Sequence, residues 1–301
     1  MSIEFIFKHS NLKELKPKLL QTFPTPKLIL KSELKSPPLT DNYSTVGQAF
    51  DYLLRFYIEI KNPSKLYNRE WVASNAFNRL LMNLVKMQHS IVRAGRKLDK
   101  SYNRIELIGF ISQEYYRARM NYRIAIEKKR LTNEIIASSL FLARLDVFLR
   151  TGIIDPNFMT HKDEDLIDLK LLLKNLNWRS VKVQNHCILN PTYGKGSAFI
   201  LGADSDLIID DTLIDIKVTQ ELKLKRSYLN QLIIYYTLYL IGGVDNFPGK
   251  VKINYLAIYF ARHSVMVKIP IMELGTLKTF REFKKWFVNY IDKNVYGKKI
   301  K

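Results

Sequence analysis

The chain has 301 residues, and its 48 lysines and arginines outnumber its 28 aspartates and glutamates, which gives a formal net charge of +20. Hydrophobic residues make up 47% of the sequence, a proportion that excludes a chain disordered throughout. The single cysteine, Cys187, excludes an internal disulfide, a four-cysteine zinc site and an iron–sulfur cluster. The charge predicts a polyanionic partner, most often nucleic acid, and the cysteine usage is typical of an intracellular, cytoplasmic protein.

No membrane association is expected from the sequence. Residues 1–10 lack the apolar core and cleavage site of a signal peptide. The longest apolar run, around residues 231–244, carries polar residues and is too short to span a bilayer.

The sequence predicts an irregular segment at the start of the chain and mostly helices over the rest of its first two thirds. Prolines interrupt residues 1–44, which predicts an irregular segment. Apolar residues at helical spacing predict a helix over residues 45–64. The pattern of residues 65–178 predicts an all-helical region, with helices at about 69–95, 102–129, 132–150 and 164–176.

Residues 179–301 have a different character, because β-branched and apolar runs alternate there with helical stretches. Helices are predicted at about 222–240 and 277–290. Strands are predicted at 181–189, 198–209, 213–219, 253–261 and 265–269. This order indicates an α/β fold with a mixed sheet flanked by helices.

One predicted hairpin contains the most informative residues. Asp210 and Asp211 form a turn signal between two apolar runs, and a turn there sets Leu207 opposite Ile214. Since side chains alternate along a strand, this register gathers several polar groups on one face. They are Asp204, Asp206, Asp215 and Lys217.

Two carboxylates that face each other across a hairpin repel, so something must compensate them. A hard divalent cation such as Mg²⁺ does this well and brings waters and phosphate oxygens with it. A lysine beside that metal can orient or activate a water. The arrangement therefore fits phosphodiester cleavage, and the alternative is a surface hairpin with solvated charges.

These residues resemble the PD-(D/E)xK nuclease superfamily. Asp206 matches the first acid, preceded by Ser205 in place of proline, and Asp215-Ile216-Lys217 matches the second part of the motif. Asp204 is an alternative to Asp206. The resemblance implies a restriction-endonuclease-like core. It also implies that Asp206, Asp215 and the carbonyl of Ile216 bind Mg²⁺ or Mn²⁺, and that Lys217 acts on the attacking water.

Two further matches are similar to the RecB-like branch of that superfamily. Gln231 and Tyr235, one helical turn apart, match its Gln-x-x-x-Tyr motif and imply a role in positioning the site. Gly47 to Asp51 resembles its Gly-x-x-x-His element, with Asp51 in place of the histidine as a metal ligand. The alternatives are an amphipathic core helix and an ordinary exposed aspartate. If the Gly47–Asp51 match holds, residues 65–178 are a large all-helical insertion within one nuclease fold.

Two basic groups are candidates for nucleic-acid binding. Arg117, Arg119 and Arg123 alternate with tyrosines, which could stack on bases or could instead belong to the core. A second group precedes Gln231 on its helix: Lys223, Lys225 and Arg226.

The sequence as a whole predicts a Mg²⁺-dependent deoxyribonuclease that acts on single- or double-stranded DNA in repair, replication or defence. A partner helicase or ATPase is compatible with this interpretation, since the chain carries no phosphate-binding loop of its own. The alternative is a non-catalytic nucleic-acid-binding or assembly protein that keeps a decayed nuclease fold.

Overall fold

The computed structural model describes residues 3–67, 70–95 and 100–297. Residues 68, 69 and 96–99, which fall within the predicted helical region, lie outside the described part of the chain, as do residues 1, 2 and 298–301.

The described helices are α1 (Ile3–Lys8), α2 (Leu15–Thr22), α3 (Tyr43–Lys61), α4 (Val72–Lys86), α5 (Arg104–Glu127), α6 (Asn133–Thr151), α7 (Asp163–Lys174), α8 (Lys195–Phe199), α9 (Arg226–Gly242), α10 (Ile271–Leu274) and α11 (Leu277–Val295). The described strands are β1 (Leu66–Tyr67), β2 (Ile91–Ala94), β3 (Lys100–Asn103), β4 (Cys187–Leu189), β5 (Leu207–Ile209), β6 (Thr212–Lys217), β7 (Tyr255–Phe260) and β8 (Val265–Pro270).

A six-stranded mixed sheet forms the centre of the fold. Its strand order is β1-β4-β5-β6-β7-β8, with β1–β4 and β6–β7 parallel and the other pairs antiparallel. Helix α9 supplies the crossover that the parallel pair β6–β7 requires. This mixed α/β architecture confirms the predicted fold class at that level.

The sheet is buried on both faces, and each face belongs to a different hydrophobic core. On one face, Leu207 and Ile214 pack with apolar side chains of α3 to α7. On the other face, Ile208 and Leu213 pack with α2, α9 and α11. The helices of residues 65–178 therefore share one core with α3 and the sheet.

The predicted hairpin register is confirmed. Leu207 pairs with Ile214, Ile208 with Leu213 and Ile209 with Thr212. Asp210 occupies the turn with φ of 52°, and its carboxylate accepts backbone hydrogen bonds from residues 184–186. On the other side of β5, the fully buried Cys187 of β4 lies opposite Ile209.

Local capping explains where α6 begins and ends. The Thr132 hydroxyl accepts a hydrogen bond from the Ile135 N–H at 3.4 Å, which satisfies one of the free donors of the first turn. Gly152 ends the helix in the left-handed conformation, with φ of 70° and its N–H bonded to the Phe148 carbonyl.

Three regional predictions were wrong in part. Residues 1–44 are not wholly irregular, because they include α1 and α2, and Leu15, Leu19 and Phe23 are fully buried. Burial of these apolar side chains against the second core stabilises the helices, and Pro17 lies in the first turn of α2, where a proline is tolerated.

Residues 65–178 are not all helical. The segment contributes β1 to the edge of the main sheet and forms the antiparallel pair β2–β3. The strand predicted over 198–209 is also wrong in part, because its first two residues are the end of α8 and β5 occupies only residues 207–209. Helix α8 packs closely on α9 where Gly196 meets the backbone of Leu238, a contact that a Cβ would prevent.

None of the helices in the described ranges is both long and apolar enough to cross a membrane.

A buried ion pair joins three distant parts of the chain. The Arg262 guanidinium, in the turn after β7, donates two hydrogen bonds of 2.8 Å to the Asp168 carboxylate of α7. It also donates to the Ser36 carbonyl at 3.0 Å. Both charged side chains have 1% of their surface exposed or less. The pair thus fastens α7 and the N-terminal segment to the sheet.

We expect Asp168→Asn to lower the free energy of unfolding by about 3–5 kcal/mol, because it leaves the buried charge of Arg262 uncompensated. The double variant Asp168→Leu/Arg262→Met should recover most of this loss. Urea unfolding followed by circular dichroism measures both.

The matched control for this pair is Glu282→Gln, which disrupts an exposed pair with Lys278 on α11. It should change the free energy of unfolding by less than about 1 kcal/mol. A loss at Asp168 no larger than that of the control would contradict the structural role of the buried pair.

Candidate active site

The polar side chains of the hairpin meet where β5 begins and β6 ends. Asp206 directly precedes β5, and its Oδ2 accepts a hydrogen bond of 2.6 Å from the Ile216 N–H of β6. The Asp206 carbonyl accepts from the Asn190 N–H of the neighbouring strand connection at 3.1 Å. The first acid of the motif is therefore held beside the second by the backbone of the sheet.

Lys217 connects the hairpin to α9. Its Nζ lies 2.5 Å from Asp215 Oδ2 and donates a hydrogen bond of 3.0 Å to Gln231 Oε1. Gln231 Nε2 in turn donates to the Tyr235 hydroxyl at 3.1 Å. The structure thus brings Asp215, Lys217, Gln231 and Tyr235 together in one chain of contacts.

Burial sets the electrostatics of these groups. Removal from water raises the pKa of Asp215 to about 6, with Lys217 opposing the shift and the negative charge of Asp206 adding to it. Burial lowers the pKa of Lys217, but the charges of Asp215 and Asp206 outweigh that effect and raise it. Lys217 is therefore a cation that two carboxylates hold in place.

Helix α3, which carries Asp51, passes beside the end of the hairpin at this site. A Cβ added to Gly47 would lie 3.7 Å from the Cβ of Val218, so α3 passes in ordinary contact distance of the residue after Lys217. Both oxygens of Asp51 are engaged by Arg55, through a hydrogen bond of 3.1 Å from Nε and a close contact with Nη2.

Among the described residues, no hydrogen bond joins Asp51 to Asp206 or Asp215. As a metal ligand, Asp51 would have to exchange Arg55 for the ion, so this role stays a prediction.

Sequence reasoning missed a group of charged residues on α3 and α6. Asp146 of α6 has none of its surface exposed. It accepts hydrogen bonds from the Tyr52 hydroxyl at 2.8 Å and from Gln48 Nε2 at 3.2 Å. Burial raises the pKa of Asp146 to about 6, against the opposing charge of Arg150 and the hydrogen bond from Tyr52.

Two arginines face the acidic end of the hairpin from these helices. Burial lowers the pKa of Arg55, while the charges of Asp206 and Asp146 act to raise it. Desolvation also acts against the charge of Arg150, but Asp204 and Asp146 outweigh it and raise the pKa. The acidic hairpin therefore lies in the field of two guanidinium groups.

The signal for this group is present in the sequence. Gln48, Asp51, Tyr52 and Arg55 recur at intervals of three and four residues and so form a polar stripe on an otherwise apolar helix. The partner positions on α6, Asp146 and Arg150, are also four residues apart.

Of the predicted nucleic-acid contacts on α5, the arginines are exposed and two of the tyrosines pack into the protein. Arg117, Arg119 and Arg123 are exposed, as a binding surface requires. Arg117 pairs with Glu114 at 2.7 Å, and the Arg119 guanidinium lies 4.7 Å from the centre of the Trp71 ring. Two of the interleaved tyrosines pack inward: Tyr115 stacks on Phe77, and Tyr122 contacts Trp71.

The second basic group is also divided. Lys223 is exposed, and Lys225 pairs with Glu221 at 3.1 Å. Arg226 donates from Nη1 to the Phe23 carbonyl at 2.5 Å and to Thr25 Oγ1 at 3.2 Å, and burial lowers its pKa. In this arrangement Arg226 fastens the segment after α2, and Lys223 is the most available of the three for a phosphate.

The donor set at the hairpin fits a magnesium ion only through a small number of protein ligands. No group of three His, Cys, Asp or Glu side chains in the described ranges is arranged to hold a metal ion. Mg²⁺ commonly takes one or two carboxylates and completes its shell with waters and phosphate oxygens. Asp206 and Asp215 meet that requirement. Burial raises the pKa of Asp215, and the charge of Asp206 adds to the shift, so a divalent cation would stabilise both carboxylates in their charged form.

No family model matches this chain, and neither a curated protein nor a solved structure is significantly similar to it. The assignment of chemistry to the site therefore depends on the contacts described above.

We expect Asp146→Asn to reduce the pH dependence of stability. Asp146 releases its proton near pH 6 in the folded chain, against an ordinary value of 3.8. The folded chain thus binds more protons in that window, and the free energy of unfolding falls as the pH rises through it. Asparagine removes this fall, so the variant should gain about 1 kcal/mol over the parent between pH 5 and pH 8.

Urea unfolding at the two pH values measures the gain, with Asp163→Asn on α7 as the exposed-carboxylate control. Parallel pH dependences of parent and Asp146→Asn would show that Asp146 is not a buried group with a raised pKa.

Proposed function

We propose that this chain is a Mg²⁺-dependent nuclease that hydrolyses phosphodiester bonds, with DNA as its substrate. The observation that carries the proposal is the set of contacts at the hairpin. Two carboxylates, Asp206 and Asp215, come together where the central strand β5 begins and β6 ends, with Asp206 bonded to the Ile216 N–H, and Lys217 joins Asp215 to Gln231. This arrangement supports the sequence resemblance to RecB-like PD-(D/E)xK nucleases.

Asp206, Asp215 and the backbone carbonyl of Ile216 would hold the metal. When bound, Mg²⁺ supplies charge neutralisation at the phosphate and a more acidic water. Mn²⁺ can substitute, because it also favours oxygen ligands. Because the pKa of Asp215 is raised to about 6, this carboxyl loses its proton only as the pH rises through that value. A cation should therefore bind more tightly as the pH rises through about 6.

Lys217 would orient the attacking water and stabilise charge on the phosphate. An ammonium group has three protons to donate. In this structure Asp215 and Gln231 engage Nζ, which leaves a donor for a water or a phosphate oxygen. With 21% of its side chain exposed, Lys217 can be reached by a substrate, whereas its partner Asp215 is almost fully covered.

Gln231 and Tyr235 act as positioning residues. The Tyr235 hydroxyl accepts from Gln231 Nε2, which fixes the amide so that Oε1 points to Lys217. Burial and the charge of Asp215 raise the pKa of Tyr235 well above its usual value, so the hydroxyl stays neutral. It keeps its own proton to donate towards the site.

The charge favours a nucleic acid as the substrate. The excess of twenty positive charges draws a polyanion to the surface, and Arg55 and Arg150 add positive charge beside the acidic hairpin. Arg150 is exposed and is suited to contact a phosphate that flanks the scissile bond, whereas Arg55 is buried and paired with Asp51 and contributes only its charge.

The first test is cleavage of labelled single-stranded DNA, double-stranded DNA and RNA with Mg²⁺ or Mn²⁺. Lys217→Ala and Asp215→Asn should each lower the cleavage rate roughly 100-fold or more, since they remove groups that act on the water and the metal.

Lys278→Ala on α11, an exposed position away from the hairpin, is the matched control and should cut like the parent. Cleavage by Lys217→Ala and Asp215→Asn at the rate of this control would overturn the nuclease assignment.

The second test separates the nuclease from a non-catalytic nucleic-acid-binding protein. Calorimetric titration with Mn²⁺ should show saturable binding to the parent, and binding should weaken roughly tenfold or more in Asp206→Asn because one of two carboxylate ligands is lost. The same titration with a bound oligonucleotide tests whether phosphate oxygens complete the shell.

If the parent binds no metal at millimolar concentration with or without DNA, yet still binds DNA, the non-catalytic alternative is correct. Lys278→Ala again provides the reference, and it should bind Mn²⁺ like the parent.

A further inference from the structure

Arg144, in the middle of α6, is a buried arginine that lacks a partner. It has 5% of its surface exposed. Within the described ranges, no residue accepts a hydrogen bond from its guanidinium or lies within ion-pair distance of it. Burial lowers its pKa, and the negative charges of Asp155 and Asp165 oppose this effect only from longer range. The Arg144 nitrogens are not among the sealed, unpartnered polar atoms of the described residues, so the guanidinium reaches open space where a ligand, an ion or water can bind it.

The guanidinium of Arg144 borders a cavity of about 300 Å³ between α5, α6 and residues 158–161. This volume is at the lower end of the range for small-molecule sites and is suited to a ligand about the size of a mononucleotide. Polar side chains with donor groups also line it: Arg117, Asn121, Ser138, Thr160 and His161.

None of the described acidic side chains around this cavity lies within ion-pair distance of Arg144. Glu114 is held by Arg117 at 2.7 Å, and Glu134 is exposed. The carboxylate of Asp165 accepts hydrogen bonds from Thr40 and Asn42. Of the two arginines that line the cavity, Arg117 is paired with Glu114, and Arg144 keeps its charge available for an anion.

The identity of the anion follows from the number and direction of the donors. A guanidinium pairs with either a carboxylate or a phosphate. Donors on α5, on α6 and on the 158–161 segment surround the cavity from several sides, which suits the three oxygens of a phosphate better than the two oxygens of a planar carboxylate. The half-buried ring of Phe110 provides an apolar wall for the rest of a ligand.

We propose that this cavity binds a small phosphate-bearing ligand, with Arg144 as its buried anion-binding group and the Phe110 ring against the organic part of the ligand. Inorganic phosphate, a free nucleotide and the terminal phosphate of a nucleic-acid strand share this chemistry.

The inference does not depend on the nuclease assignment, because no residue of the proposed catalytic set lines the cavity. The two sites nevertheless share α6. Six residues, or about 9 Å along the helix axis, separate Arg144 from Arg150. A ligand on Arg144 would therefore stabilise the helix that carries Asp146 and Arg150 to the acidic hairpin.

Thermal unfolding of the full chain in phosphate-free buffer at constant ionic strength tests the proposal. The ligands are inorganic phosphate, deoxyadenosine monophosphate, deoxyadenosine, and an oligonucleotide with or without a 5′-phosphate. At about one hundred times its Kd, a bound phosphate ligand should raise the Tm of the parent by about 5 °C. Deoxyadenosine, which lacks the phosphate, should not.

The variant Arg144→Met keeps most of the side-chain volume and removes the buried charge. It should unfold at a higher Tm than the parent without ligand and should lose the response to every phosphate-bearing ligand. Arg281→Met, at an exposed arginine on α11, is the matched control and should respond like the parent.

A second variant keeps the test decisive if Arg144→Met does not fold. Ser138→Ala, on the α6 wall of the cavity, should raise the Kd for deoxyadenosine monophosphate about fivefold through the loss of one hydrogen bond, because the Ser138 hydroxyl accepts from Asn121 and keeps its own proton to donate. A stronger response to the 5′-phosphorylated strand than to the mononucleotide would identify a strand end as the ligand. No response of the parent to any phosphate-bearing ligand, or an equal response of the parent and both cavity variants, would overturn the proposal.

Discussion

The β5–β6 hairpin inserts alternate side chains into two separate hydrophobic cores, and this double burial determines its register. Leu207 and Ile214 belong to one core, while Ile208 and Leu213 belong to the other. A slip of one residue would exchange the two sets and would move Asp206 and Asp215 to different faces. The geometry of the candidate site is thus maintained by apolar packing on both sides of the sheet. The free energy of that packing offsets the repulsion between the two acids.

The parts of the fold that sequence alone predicted are those in which a local pattern and the final packing agree. The hairpin register followed from the two-residue period of side chains along a strand and from the turn at Asp210. Burial in both cores favours the same alternation. The elements it missed depend on distant partners. Strand β1 has two residues and exists because β4 lies beside it, and α2 is stable because Leu15, Leu19 and Phe23 are buried.

The same distinction applies to the site. Asp215, Lys217, Gln231 and Tyr235 lie within a short stretch of chain, so strand and helix periodicity placed them together. Asp146 and Arg150 come from α6, more than fifty residues before the hairpin, and no local spacing connects them to it. Their approach follows from the packing of α6 on α3, which makes the helical region between α3 and the sheet a part of the site's electrostatic surroundings.

The position of Cys187 has a chemical consequence. The thiol is fully buried in β4, opposite Ile209, and burial raises its pKa far above the usual range. A thiol in that condition is a poor nucleophile and is sealed from solution, so alkylating reagents and oxidants can modify it only in molecules whose central sheet has opened. The chain has no other cysteine. The rate at which the Cys187 thiol is modified therefore reports how often β4 separates from β5, the first strand of the acidic hairpin.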